Sequence, residues 1–323
     1  MLEHLVNRYR LYPLALVGCR AKGVAYDVCE YNILMLKDAY SNSIHDYYGS
    51  GRGRGEASDS SMVGAPTAKG PMWYEPCSDD EYIYMDDGSI SRIHVVGKGA
   101  SMVEKVMLLD GMVILNDVNN RLSMLEDEVA ALSRKVKRLH ARTVMVDALF
   151  YASNALHARD ALEASFWLKS AACSYMESLI LSGEGVPMPS HILAQMRASG
   201  DSSMSTAIDS LGLEQANRSS VSRGIRALMH ILASSYCGRL ALMLIRKKLE
   251  YLSSMGMYTD AHTYICYICR GLVLGRGIGM GRVRSAPGYS MLAVAMNLTS
   301  DHTNTSRLAG ELLSLCRSRL NAY

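Results

Sequence analysis

Residues 17–36 read VGCRAKGVAYDVCEYNILML, a short stretch dense in side chains that could do chemistry. Gly18 and Gly23 flank Cys19, Arg20 and Lys22. Glycine lets main-chain N–H groups come close to phosphate oxygens, and Arg20 and Lys22 add positive charge beside them. Glu30 and Asn32 stand two apart at the head of the apolar run Ile33–Leu36. On a strand, such a pair points to one face. Two carboxylates so placed hold Mg²⁺ ions, which bridge nucleotide phosphates and neutralise charge in an in-line displacement. Here the pair is one carboxylate and one neutral amide. Asp27, three residues before Glu30, points the other way on such a strand.

The order Gly18, Arg20, Ala21, Gly23, then Glu30 and Asn32 opening a hydrophobic strand, resembles the signature of the DNA polymerase β-like nucleotidyltransferase superfamily, in its minimal branch. That family has Ser where this chain has Cys19, and two Asp where it has Glu30 and Asn32. The resemblance covers about twenty residues. It implies that Gly18, Cys19, Arg20 and Lys22 contact phosphates, and that Glu30 and Asn32 hold Mg²⁺. The family takes a third carboxylate from a later strand; the matching strand, Ile90–Val96, offers His94. The catalytic set is therefore Glu30, Asn32 and His94, a degenerate one. The implied partners are a nucleoside triphosphate and an RNA or protein acceptor. Two functions stay open: nucleotide binding with nucleotidyl transfer, and a non-catalytic nucleotide- or RNA-binding or assembly protein on the same fold.

The elements that must position these residues are a mixed sheet and then helices. Tyr12–Val17 and Tyr31–Leu36 read as strands. Glu81–Met85 and Ile90–Val96 flank Asp86-Asp87-Gly88 and read as a hairpin. Residues 42–69, with GSGRGRG at 49–55, read as a loop-like insertion. Near residue 101 the period changes, and everything after it is expected to be helix or loop. Leu115, Val118, Leu122, Leu125, Val129, Leu132, Val136, Leu139, Thr143 and Val146 form an a/d stripe on one long helix. Such a helix packs on a partner of its own chain or makes a homodimer through 115–146. His157–Ser182, His191–Arg197, Ser219–Met255, Thr259–Leu274, Met291–Leu298 and Thr305–Leu320 read as further helices. The fold class is α+β: a small mixed-sheet nucleotidyltransferase-like domain at 1–115, then an all-α helical bundle at 116–323.

The helical part also resembles HEPN-type bundles, in the Ala-rich helix, Gly/Pro loop and His-bearing segment of 166–196. Arg223 and His230, six residues apart in between, match the Arg-then-His spacing of HEPN ribonucleases, although Gly224 stands where that family has a polar residue. His262, Cys266 and Cys269 recur on one helix face, but with no second CxxC or His pair they read as small core residues.

The 323 residues carry a net charge of +3 that is unevenly spread. Residues 1–217 hold 20 Lys+Arg against 27 Asp+Glu, and 218–323 hold 14 against 4. The basic part includes Arg276, Arg282 and Arg284 in a Gly-rich stretch, a secondary surface for phosphates. MLEHLVNRYR has no apolar segment of a secretory signal, and no run of about 18 apolar residues spans a membrane. The eight Cys follow no disulfide framework and are expected to be reduced in the cytoplasm, away from any membrane.

Overall fold

The computed structural model describes residues 2–36, 73–78, 81–86, 89–96, 100–234, 238–274 and 288–322. The fold is α+β, with a mixed sheet followed by helices. Two compact units divide it: Met1–Ser133 with Gly238–Leu244, and Arg134–Cys237 with Ile245–Tyr323.

The first unit is built on six strands: β1 (Leu14–Val17), β2 (Tyr31–Leu36), β3 (Trp73–Ser78), β4 (Glu81–Asp86), β5 (Ser89–Val96) and β6 (Val113–Asn116). Their order is β3-β4-β5-β2-β1-β6. β2 and β5 run parallel, and the other neighbours are antiparallel. Alternation along β2 and β5 sends Ile33, Met35, Ile93 and Val95 to one face, where they form a core with Leu14 and with Leu5 of α1 (Leu2–Arg8). Ile90 makes a second core with Leu240 and Leu244. Helix α2 (Gly18–Ala21) forms the turn after β1, and α3 (Met102–Leu109) starts on a capping box between Ser101 and Glu104.

Strand β6 corrects the expectation of helix and loop alone after residue 101. Three of its four residues pair with β1, Leu16 opposite Val113, with a bulge at Leu115, and the strand is too short for an alternation to register in sequence. Leu115 therefore belongs to a strand. Asp117 accepts the amides of Leu122 and Ser123, and the long helix α4 runs from Arg121 to His157. The first unit extends to Ser133, past the limit read at residue 115, and so takes in β6 and the first turns of α4.

The second unit contains the rest of α4, then α5 (Ala161–Ser182), α6 (Ile192–Ser199), α7 (Met204–Leu211), α8 (Arg218–Ala233), the rest of α9 (Arg239–Ser254), α10 (Tyr258–Leu274), α11 (Tyr289–Ala295) and α12 (His302–Ala322). One helix starts later than read and another is broken. Asp160 caps a fresh start at α5, accepting the Glu163 amide, and Ser219–Met255 divides into α8 and α9. Gly224 of α8 is a packing residue: a Cβ there would lie 3.0 Å from the Ala295 carbonyl of α11. The a/d stripe is buried at Leu122 and Val129 but turns outward further along the helix. Leu132, Leu139 and Val146 are exposed, while Ala141, Met145, Ala148, Ala152 and Ala155 are buried. Small side chains let the backbones approach, and Ser178 Oγ of α5 donates to the Ala141 carbonyl at 2.7 Å.

Every residue from Ala164 to Leu181 of α5 is buried, so its polar groups need partners inside. Arg270 of α10 donates to Glu177 at 2.7 Å and to Ser174 at 2.8 Å, and lies over the Tyr267 ring. At the other end, Asp201 accepts from the Ser203 hydroxyl at 2.5 Å and pairs with Arg319 at 2.6 Å. Among the described residues, no helix is long and apolar enough to cross a membrane. The 42–69 insertion, Arg276, Arg282 and Arg284 lie outside the described residues.

Two outcomes are expected. Arg270→Met leaves Glu177 buried without its cation, and urea unfolding should show a loss of about 3–5 kcal/mol; the double change with Glu177→Met should recover part of it. Burial pushes the Asp201 carboxyl up, but the Ser203 bonds and Arg319 outweigh it and hold it below the ordinary range. A depressed carboxyl stabilises above its unfolded value of about 3.9 and loses that contribution as pH falls through the folded value. Asp201→Asn should therefore be less stable than wild type near pH ~7, with the gap closing below pH ~4 in the same assay.

Candidate functional site

The face of the sheet opposite Leu5 carries the polar residues. Gly18 adopts φ +73°, a conformation glycine takes without strain, and a Cβ on it would lie 3.4 Å from Asn32 Nδ2. The turn thus sits against the Asn32 side chain. In the parallel register Asn32 is opposite Arg92, and His94 is two residues further along the same face. His94 Nε2 is 3.3 Å from Asn32 Oδ1. An amide oxygen only accepts, so this bond requires the proton on Nε2.

Glu30 is buried and stands one residue ahead of β2. Cys19 is buried too, and its Sγ lies within 4.8 Å of that of buried Cys29. The thiol at the position of the family's Ser is turned inward. Two such thiols are soft donors, suited to Zn²⁺ rather than Mg²⁺.

The two cations read as phosphate contacts are held by their own unit. Arg20 Nε donates to the Cys29 carbonyl at 2.9 Å, and Nη2 donates to the Cys29 and Asp27 carbonyls at 2.6 and 3.0 Å. Its guanidinium lies 4.2 Å from the Tyr31 ring centroid. Arg20 therefore clamps the segment that delivers Glu30 and Asn32. Lys22 pairs with Asp110 and covers Gly111. Arg92 was overlooked in the sequence, although the alternation Ile90, Arg92, His94 against Ile93 and Val95 placed both polar residues on one face.

The structure thus brings Gly18, Asn32 and His94 together and adds Arg92. Mg²⁺ is a hard ion that favours carboxylate and other oxygen ligands. One buried glutamate, a neutral amide and an imidazole do not fit a pair of such ions. The face suits an anion held by Arg92 and the glycine turn. In the second unit, Arg223 and His230 are exposed on α8, while His262, Cys266 and Cys269 are buried in α10, with His262 Nε2 and Cys266 Sγ 3.6 Å apart.

No protein-family model matches the chain. Comparison with curated proteins and with solved structures likewise finds no match.

Arg20→Ala should destabilise the first unit by about 1.5–3 kcal/mol, the scale of hydrogen bonds from a charged donor. Arg20→Lys should not restore it, because an ammonium cannot span two carbonyls and stack on Tyr31 as a planar fork does. Urea unfolding of the three proteins checks both expectations.

Proposed function

We propose that the sheet unit binds a nucleoside triphosphate on the face carrying Asn32, Arg92 and His94, as a nucleotidyltransferase-like module without metal-dependent transfer. The observation that carries this reading is the 3.3 Å bond between Asn32 and His94 beside the Gly18 turn. The two positions are adjacent, as a nucleotide-phosphate site needs, and neither is a carboxylate. The triphosphate would approach the main chain at Gly18, with Arg92 supplying positive charge and donors and His94 holding the Asn32 amide in place. Arg20 acts by positioning the segment before β2. Transfer to an RNA or protein acceptor would require more negative charge than Glu30 alone provides. The buried, unbridged thiols of Cys173, Cys266, Cys269 and Cys316 favour a reducing compartment such as the cytoplasm.

The test is titration with a fluorescent nucleoside triphosphate, in Mg²⁺ and in EDTA, alongside a transfer assay with labelled nucleotide. Binding should persist in EDTA and weaken as salt rises. It should fall about tenfold, equivalent to ~1.4 kcal/mol, in Gly18→Ala and in His94→Gln. Wild type should transfer no label, and Asn32→Asp should make binding respond to Mg²⁺. Absence of nucleotide binding, affinity unchanged in both variants, binding of RNA alone, or wild-type turnover that survives Glu30→Ala would overturn the reading.

A further inference from the structure

Helix α5 buries a second cation, Lys169, which is 4% exposed. A buried ammonium is costly unless an anion compensates it. Lys169 Nζ donates to the Leu211 carbonyl at the end of α7, and among the described residues it forms no ion pair. Gly212 follows at φ +68°, and a Cβ there would lie 3.5 Å from Lys169 Nζ and 4.0 Å from Glu214 Oε1. The main chain is therefore bent close to the ammonium. Burial lowers the basicity of the amine; the Cys266, Cys173 and Glu214 groups around it oppose this. His262 is held neutral, at about 3, by burial and by Lys169.

Lys169 also lines a cavity of about 100 Å³ that lies wholly within the second unit. Its wall includes buried Ser165 and three exposed carboxylates, Asp209, Glu214 and Asp301. One amine is inside and three carboxylates are at the solvent side. A cavity of about 150 Å³ accommodates benzene, so this one has room for roughly four to six non-hydrogen atoms.

We propose that this cavity binds a small α-amino acid, with its carboxylate on Lys169 and its ammonium toward Asp209, Glu214 and Asp301. A neutral ligand would leave Lys169 uncompensated. A simple anion would meet three carboxylates, and a simple amine would offer Lys169 nothing. A zwitterion of glycine or alanine size matches both charges within the volume. This inference is independent of the nucleotide reading.

Calorimetric titration of the full chain with glycine, L-alanine, acetate and methylammonium tests it. Glycine and L-alanine should bind, with acetate and methylammonium each at least about tenfold weaker, a difference of ~1.4 kcal/mol. Lys169→Met should abolish binding in protein that keeps its wild-type circular dichroism. If that variant does not fold, the double change Asp209→Asn with Glu214→Gln, at exposed positions, decides: it should weaken glycine at least several-fold. Gly18→Ala should leave glycine binding unchanged. No binding of either amino acid, acetate binding as tightly as glycine, or a double variant with wild-type affinity would overturn the proposal.

Discussion

The parallel pairing of β2 with β5 is the constraint on which the first unit depends. Both strands must present Ile33, Met35, Ile93 and Val95 to the Leu5 side, and side chains alternate with a period of two. A slip of one residue would bring Asn32, Arg92 and His94 to the Leu5 side and take the buried Leu34 out of its own packing. The buried face therefore sets the register, and the register in turn places the polar residues together on the other side. The Asn32–His94 bond is a by-product of hydrophobic alternation on two strands far apart in sequence. Arg20 completes the arrangement from the turn, by holding the two carbonyls just ahead of β2.

The helical unit solves a different problem. Helix α5 is surrounded on all sides, so the low dielectric raises the stakes for each polar group on it. Glu177 is answered by a full ion pair with Arg270. Lys169 is answered by a carbonyl, with carboxylates only at the solvent side of the neighbouring cavity. The thiols nearby take the inert course: burial pushes Cys173 up to about 12 and Cys266 to about 11, values at which a thiol packs rather than reacts. The α10 face that in sequence resembles a set of soft metal ligands is thus a packing surface containing a neutral histidine.

Much of the architecture is legible in the chain because it rests on local signals. Tyr31–Leu36 is β2 as read, and Glu81–Met85 with Ile90–Val96 forms the β4–β5 hairpin pair, because β-branched and alternating residues mark half-buried strands. The α+β division follows from the change of period. The shorter elements are not visible in this way: α1 and β6 have too few residues to show a period. In α4 the a/d stripe is buried at Leu122 and Val129, but beyond Leu132 the buried positions are mostly alanines. Helix packing rewards close approach as well as apolar area, and alanine carries little hydropathy signal.

The candidate site divides along the same line. Residue types at Gly18, Glu30, Asn32 and His94 state which chemistry is within reach and which is not, since a missing carboxylate is missing in any fold. Where each side chain points was settled only by tertiary contacts. Arg20 and Lys22 look like phosphate ligands in a list of residues, but main-chain carbonyls and Asp110 engage them. Carbonyl oxygens are identical at every position and leave no mark in a sequence. Lys169 is the same case: a lysine on an alanine-rich helix reads as an exposed charge, and only the packing of α7 and α10 around α5 turns it into a buried one.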